Sequence, residues 1–140
     1  MNLFNEDRTV CVVGFYPYPE TTSWNRSLTE SRFRALYLTY GVSIRLIKSP
    51  DEIMFSTKIP YVAVEQENKH TVPMSEFVHP EKAAYVVGNT DYQFPSFWCD
   101  ASHRVHIDVP HMKEPLYGDQ AAVIILNDRY MKNESKLQQL

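Results

Sequence analysis

The chain has 140 residues, of which 44% are hydrophobic and 13% aromatic. This length and composition fit a single globular domain over residues 1–140 and exclude a disordered chain. The net charge of −3 argues against a general polyanion binder, and no run approaches the roughly 18 apolar residues of a membrane span. With only Cys11 and Cys99, both expected to be packing residues, the composition is typical of a soluble protein of the reducing cytoplasm.

Predicted strands and helices alternate along the chain, which indicates an α/β fold with a mostly parallel sheet flanked by helices on both faces. A strand at 9–15 leads into a helix at 24–40, which ends at Gly41. Strands follow at 43–47, 61–65, 83–87 and 105–109, and the last helix covers 118–137. Short helices are expected at 49–56 and 95–101, and a polar turn at 67–71.

The strands at 83–87 and 105–109 point to a ligand site. The first is apolar throughout and is predicted to be central, whereas the second alternates and is predicted to lie nearer an edge, with His106 and Asp108 away from the buried face. Their ends, at Gly88 and Val109, arrive beside the start of the last helix, where open α/β domains bind small ligands. The same residues also fit a plain turn and a strand terminator.

Other chemistries are less well supported. Four residues that can bind zinc, Cys99, His103, His106 and His111, lie close in sequence, but their spacing is unlike the compact ligand pairs of structural zinc sites, so no metal is expected. There is no G-x-S-x-G turn of a serine hydrolase and no glycine-rich phosphate loop.

Cationic residues are concentrated in the first helix and the strand after it. Between residues 26 and 48 the chain has five of them and one acid, Glu30. The five are Arg26, Arg32, Arg34, Arg45 and Lys48. A phosphate-facing surface is expected near this segment, although an ordinary solvated helix face has the same composition.

Six runs of residues stand in a recognisable order after position 60. They are YVAVE at 61–65, FVHPE at 77–81, AYVVGNTD at 84–91, FP at 94–95, VHIDVP at 105–110 and AAVIIL at 121–126. In order and spacing, over about half of the chain, they resemble the SpoU-like RNA ribose 2′-O-methyltransferases of the SPOUT superfamily. The run RALYLTYGV at 34–42 is similar to that family's first motif, though less specifically.

The resemblance implies a single SPOUT-like domain with a C-terminal trefoil knot, a homodimer, S-adenosylmethionine as cofactor and tRNA or rRNA as substrate. The cofactor would be held by the main chain at the strand ends and in the last loop. Those positions are Val64, Glu65, Gly88, Asn89, Val109, Leu116 and Tyr117. The implied catalytic residues are Arg34, then Arg32, and Asn25 as a loose match.

Two departures from the family pattern motivate a second hypothesis. Thr90 stands where the family usually has Glu, and Leu116-Tyr117-Gly118-Asp119 stands where it usually has Ser-Leu-Asn. The sequence therefore predicts either an RNA methyltransferase or a catalytically degenerate SPOUT-fold protein that binds RNA, cofactor or a protein partner without methyl transfer.

Overall fold

The structure is a computed structural model that describes residues 2–3, 10–16, 23–48, 52, 59–88, 101–111 and 116–138. Within these residues the chain forms seven strands, two long helices and one short 3-10 helix. The strands are β1 (Asn2–Leu3), β2 (Val10–Phe15), β3 (Ser43–Ile47), β4 (Tyr61–Glu65), β5 (Val72–Pro73), β6 (Ala83–Val87) and β7 (His103–His106). The helices are α1 (Ser23–Tyr40), the 3-10 helix (Met74–Glu76) and α2 (Gly118–Gln138).

The seven strands form one sheet in the order β1-β3-β2-β6-β4-β7-β5. Only β1 is antiparallel to its neighbour, and every other pairing is parallel. The prediction that 83–87 forms the central strand is confirmed, because β6 is fourth of seven and all five of its residues are buried. The sheet is mostly parallel, as the alternation of strands and helices predicts.

Both long helices cover the same face of the sheet. Phe33 and Leu36 of α1 and Ile125 of α2 belong to one buried cluster with Val12 and Tyr85. The stripe of Ala121, Ala122, Ile125 and Leu126 that the sequence predicts is buried in full. The alternate strand residues, Cys11 among them, form a second buried cluster on the other face. The short helices predicted at 95–101 and over most of 49–56 lie outside the described residues.

The turn from α1 into β3 follows from one glycine. Gly41 has a φ of 67°, a left-handed conformation that side chains other than glycine adopt only with strain. Its N–H donates to the Tyr37 carbonyl at 2.9 Å, which closes the helix as a C-terminal cap. The predicted helix end at Gly41 is therefore confirmed, and β3 begins two residues later.

The prediction for the last strand is wrong in its bounds, and His106 is buried although it alternates with core residues as predicted. The strand covers His103–His106 rather than 105–109, because its two neighbours end at Glu65 and Pro73, both opposite His106. Val105 and Ile107 belong to the core cluster under the long helices, as the predicted alternation requires, and His106 between them is 7% exposed. Its burial is tolerated because its Nδ1 lies 2.8 Å from the Thr71 hydroxyl.

A buried polar network fastens α2 to the segment that precedes β6. The Arg129 guanidinium donates to the carbonyls of Pro80 and Glu81 at 2.6 Å and to the Tyr85 hydroxyl at 3.1 Å. One turn later, Lys132 donates to the carbonyls of Met74 and Phe77. These bonds satisfy carbonyls of residues 74–81, which lie outside any strand, and so fix the position of α2 against the sheet.

His79 completes this network. Its Nε2 lies 2.7 Å from Asp128 Oδ2 and its Nδ1 lies 2.6 Å from the Tyr85 hydroxyl. Because a carboxylate can only accept, Nε2 carries the proton and Nδ1 accepts from the tyrosine. Burial lowers the pKa of His79, and this effect outweighs the hydrogen bond and the negative charge of Asp128, which raise it. Burial likewise raises the pKa of Tyr85.

The predicted trefoil knot depends on the path of residues 89–100 and 112–115. Both segments lie outside the described residues, so the knot stays a prediction.

Candidate ligand site at the carboxyl ends of the strands

Three adjacent strands end at the same level of the sheet. Val64 of β4 pairs with Val87 of β6 on one side and with Val105 of β7 on the other. All three valines are buried, and because the strands are parallel their carboxyl ends meet at one edge. The residues that follow them, among them Glu65 and Gly88, therefore come together as the sequence predicts.

The start of α2 packs against the end of β6. A Cβ built on Gly118 would lie 2.5 Å from the Gly88 carbonyl oxygen and 3.4 Å from a Val87 methyl carbon. Such an approach of two backbones is available only to glycine. The last loop thus reaches the candidate site through a direct contact between Gly88 and Gly118.

Tyr117 is held at the first position before α2. Its N–H donates to the Gln120 side-chain oxygen at 3.0 Å, and its carbonyl accepts from the Ala121 N–H at 2.9 Å. The first of these bonds is the glutamine half of a capping box. Both main-chain groups of Tyr117 are therefore already bonded. The residue is 55% exposed, so its ring is the part that is available to contact a ligand.

Of the two predicted arginines, Arg32 lies beside the site. Its guanidinium carbon is 5.9 Å from the centroid of the Tyr117 ring, within the range of a cation–π contact. Arg34 is exposed as well, but residues two apart on a helix point about 200° away from each other. Arg34 therefore faces the opposite flank of α1, and no bonding partner for it is found among the described residues.

Glu65 cannot bind a ligand as a free carboxylate. Its side chain is 5% exposed, and its two oxygens accept from Arg104 Nε at 2.6 Å and Nη2 at 2.8 Å. Asn68 also donates to it at 3.1 Å. This two-point pairing neutralises the Glu65 carboxylate at the end of β4, so Glu65 ties β4 to β7 in addition to any main-chain role.

The segment after β7 is anchored by a contact that the sequence analysis missed. The Asp108 carboxylate accepts from the Ser75 N–H at 3.0 Å and from the Ser75 hydroxyl. These bonds lower the pKa of Asp108 and hold the chain just before Val109, which is 45% exposed. No local pattern links Asp108 to Ser75, because only the β5–β7 pairing brings them together.

The remaining predicted site residues are placed as follows. Leu116 is partly buried and packs against the core cluster under α1 and α2. The Asn25 side chain and all of Asn89 lie outside the described residues. Among the residues that the structure describes, no three His, Cys, Asp or Glu side chains are grouped so that they could hold a metal ion.

Solved structures share this architecture. The SpoU methyltransferase AviRb from Streptomyces viridochromogenes, in complex with the cofactor AdoMet, superposes with a TM-score of 0.57 at 18% identity, over 90% of this chain and 50% of that one. This chain has the SpoU methyltransferase fold. A Porphyromonas gingivalis protein assigned to the TrmH family of RNA methyltransferases gives a TM-score of 0.61 at 12% identity, over 86% of this chain and 59% of that one.

The likeness is one of fold, since the sequences are far apart. No protein-family model matches the sequence, and a comparison with curated proteins finds no match. The chain spans 50% and 59% of the two SpoU-fold neighbours described above. Neither α1 nor α2, over the residues described, contains a stretch apolar enough to cross a membrane.

Proposed function

We propose that the protein is an S-adenosylmethionine-dependent RNA ribose 2′-O-methyltransferase that acts on structured tRNA or rRNA. One observation supports this above the others. In a SpoU fold, β4, β6 and β7 end side by side, and the start of α2 packs against the end of β6 through a contact between Gly88 and Gly118. A SpoU-fold neighbour was solved with AdoMet bound. Independently of that neighbour, a parallel sheet of this topology favours a ligand site at the carboxyl ends of its strands.

The residues at this edge fit the cofactor's chemistry. Its adenine is flat and neutral and suits an apolar surface with a few polar main-chain groups. Val109 is an exposed apolar residue and Leu116 is a half-buried one. The Glu65 carboxylate is already paired with Arg104, so a neutral ligand would not have to bury an unpaired negative charge there.

Arg32 is the proposed positioning residue for the ribose. When bound, S-adenosylmethionine supplies a methyl group that its sulfonium already activates, so the protein mainly has to orient the ribose hydroxyl. An arginine stays protonated at neutral pH and is thus suited to hold the ribose and stabilise a developing oxyanion. The contact with Tyr117 favours Arg32 over Arg34, which faces the opposite flank of α1.

The RNA surface is proposed to lie along α1. Arg32 is exposed on the flank of that helix next to Tyr117, and Arg34 is exposed on the opposite flank. Arg26, in contrast, stacks on the Tyr16 ring at 5.3 Å. Exposed arginines supply the phosphate contacts on which affinity for nucleic acids depends. With so small a cationic surface, the protein is expected to recognise the shape of an RNA loop rather than a long sequence.

Calorimetry with S-adenosylmethionine and labelled methyl transfer to bulk tRNA and rRNA test the proposal together. We expect binding with one site per chain, and transfer of label to one RNA class. Mass spectrometry of the nucleosides then has to find the methyl group on a ribose 2′ oxygen. Transfer to a base would contradict the ribose assignment, and absence of cofactor binding would contradict the proposal as a whole.

A catalytically degenerate SpoU-fold protein is the second candidate. Leu116, Tyr117, Gly118 and Asp119 stand where the resemblance expects Ser-Leu-Asn, and both main-chain groups of Tyr117 are already bonded. If S-adenosylmethionine or RNA binds but no RNA class accepts a methyl group, this second function is the correct one.

A further inference from the structure

We propose that the Tyr117 ring, backed by the Arg32 guanidinium, is a platform on which one unpaired nucleobase of the substrate RNA stacks. The inference rests on the proposed function and deepens it, because it names the part of the RNA that this edge of the protein recognises. It predicts that the substrate nucleotide, or its neighbour, is unpaired when it is bound.

The first support is the rigidity of Tyr117. Its N–H is bonded to Gln120 and its carbonyl to the Ala121 N–H, so the residue is fixed at the start of α2. The packing of Gly118 against the Gly88 carbonyl holds the same position from the other side. A ring attached to so constrained a backbone loses little further freedom when a ligand covers it.

The second support is the exposure of this ring beside a cation. Tyr117 is 55% exposed, and the Arg32 guanidinium lies 5.9 Å from the ring centroid. Aromatic rings and guanidinium planes are the surfaces on which proteins stack unpaired RNA bases. The pair combines both surfaces with one positive charge for the adjoining phosphate.

The third support is position. Gly118 follows Tyr117 in the chain and packs against Gly88 at the end of β6, which is the proposed cofactor edge. A base stacked on Tyr117 would therefore bring its ribose close to that edge. Another exposed tyrosine, Tyr130 within α2, is 56% exposed. It lies thirteen residues further along, about 20 Å down the helix, and provides a matched control.

The test uses a single-stranded oligoribonucleotide in which one base is replaced by 2-aminopurine, whose fluorescence is quenched on stacking. We expect the wild-type protein to quench it, and Tyr117→Phe to quench it equally because the ring remains. Tyr117→Ala should lose the quenching and weaken binding of the oligonucleotide by about tenfold or more, whereas Tyr130→Ala should behave as wild type.

Thermal unfolding and S-adenosylmethionine calorimetry accompany each variant. If Tyr117→Ala does not fold, Tyr117→Leu keeps an apolar side chain without an aromatic face and should also lose the quenching. Full quenching by either of these variants, or its loss in Tyr117→Phe, overturns the platform. Wild-type protein that binds cofactor without quenching the probe overturns this inference alone, whereas quenching without cofactor binding overturns only the proposed function.

Discussion

The Gly88 carbonyl oxygen lies 2.5 Å from the position that a Cβ on residue 118 would occupy. Gly118→Ala therefore forces apart the end of β6 and the start of α2, because the opposing atom is main chain and cannot rotate away. We expect a loss of about 1–3 kcal/mol in the free energy of unfolding and weaker cofactor binding. Urea unfolding and calorimetry measure the two effects. Val123→Ala, at an exposed position of the same helix, is the control, and equal stability of the two variants would refute the contact.

The two arginines of α1 provide a matched pair for the proposed chemistry. Arg32 and Arg34 are both exposed on one helix, but only Arg32 contacts Tyr117. We expect Arg32→Ala to reduce kcat for methyl transfer more than Arg34→Ala does, by about 100-fold for the loss of one oxyanion-stabilising donor. Both variants should retain cofactor affinity. A larger loss in Arg34→Ala would instead assign the role to the residue that the first-motif resemblance favours.

Arg129 is expected to be the most sensitive cation of α2. It is 9% exposed and donates to two carbonyls and to the Tyr85 hydroxyl. Arg129→Met removes the donor from all three of these acceptors. The expected loss in unfolding free energy is about 2–4 kcal/mol, read from the urea midpoint. Arg34→Met makes the same change at an exposed site and should shift stability by less than about 0.5 kcal/mol. Similar losses in the two variants would argue against the network.

His79 predicts how stability depends on pH. Its folded-state pKa is lowered by burial, and the charged groups that face it are Asp128, Lys132 and Arg129. The unfolded chain therefore binds a proton at a higher pH than the folded chain does, so this contribution to stability is present above the ordinary histidine pKa of about 6.5 and is lost as the pH falls below it.

Urea unfolding at several pH values between about 5 and 8 measures this dependence. The wild type should become less stable toward pH 5 more steeply than His79→Gln, which has no titrating group at that position. Parallel curves for the two proteins would show that His79 is not the group responsible.

Local patterns were sufficient for most of the secondary structure. The strands at 43–47, 61–65 and 83–87 are confirmed at both ends, and helices at 24–40 and 118–137 within a residue. Apolar periodicity and the left-handed conformation of Gly41 depend on neighbouring residues alone, which is why they are readable from the chain. The bounds of β7 were wrong because a strand ends where its partners end, and β5 and β4 are distant in sequence.

For the candidate site, too, one part could be predicted from local sequence and another part could not. Its location at the ends of the apolar strands near Gly88 could be predicted, since parallel strands deliver their carboxyl ends to one edge. The pairings that define its chemistry could not. Glu65 with Arg104, Asp108 with Ser75, and Arg32 with Tyr117 each join separate elements, and nothing local distinguishes Arg32 from Arg34.

The amino-acid sequence by itself determined most elements of this protein, their order and the edge of the sheet at which the candidate site lies, because hydrophobic period and turn chemistry act over a few residues. Tertiary structure alone decided which polar groups are bonded to each other and which remain available. That outcome depends on the strand order and on the seating of α1 and α2 on one face, which bring side chains from distant parts of the chain within a few ångströms.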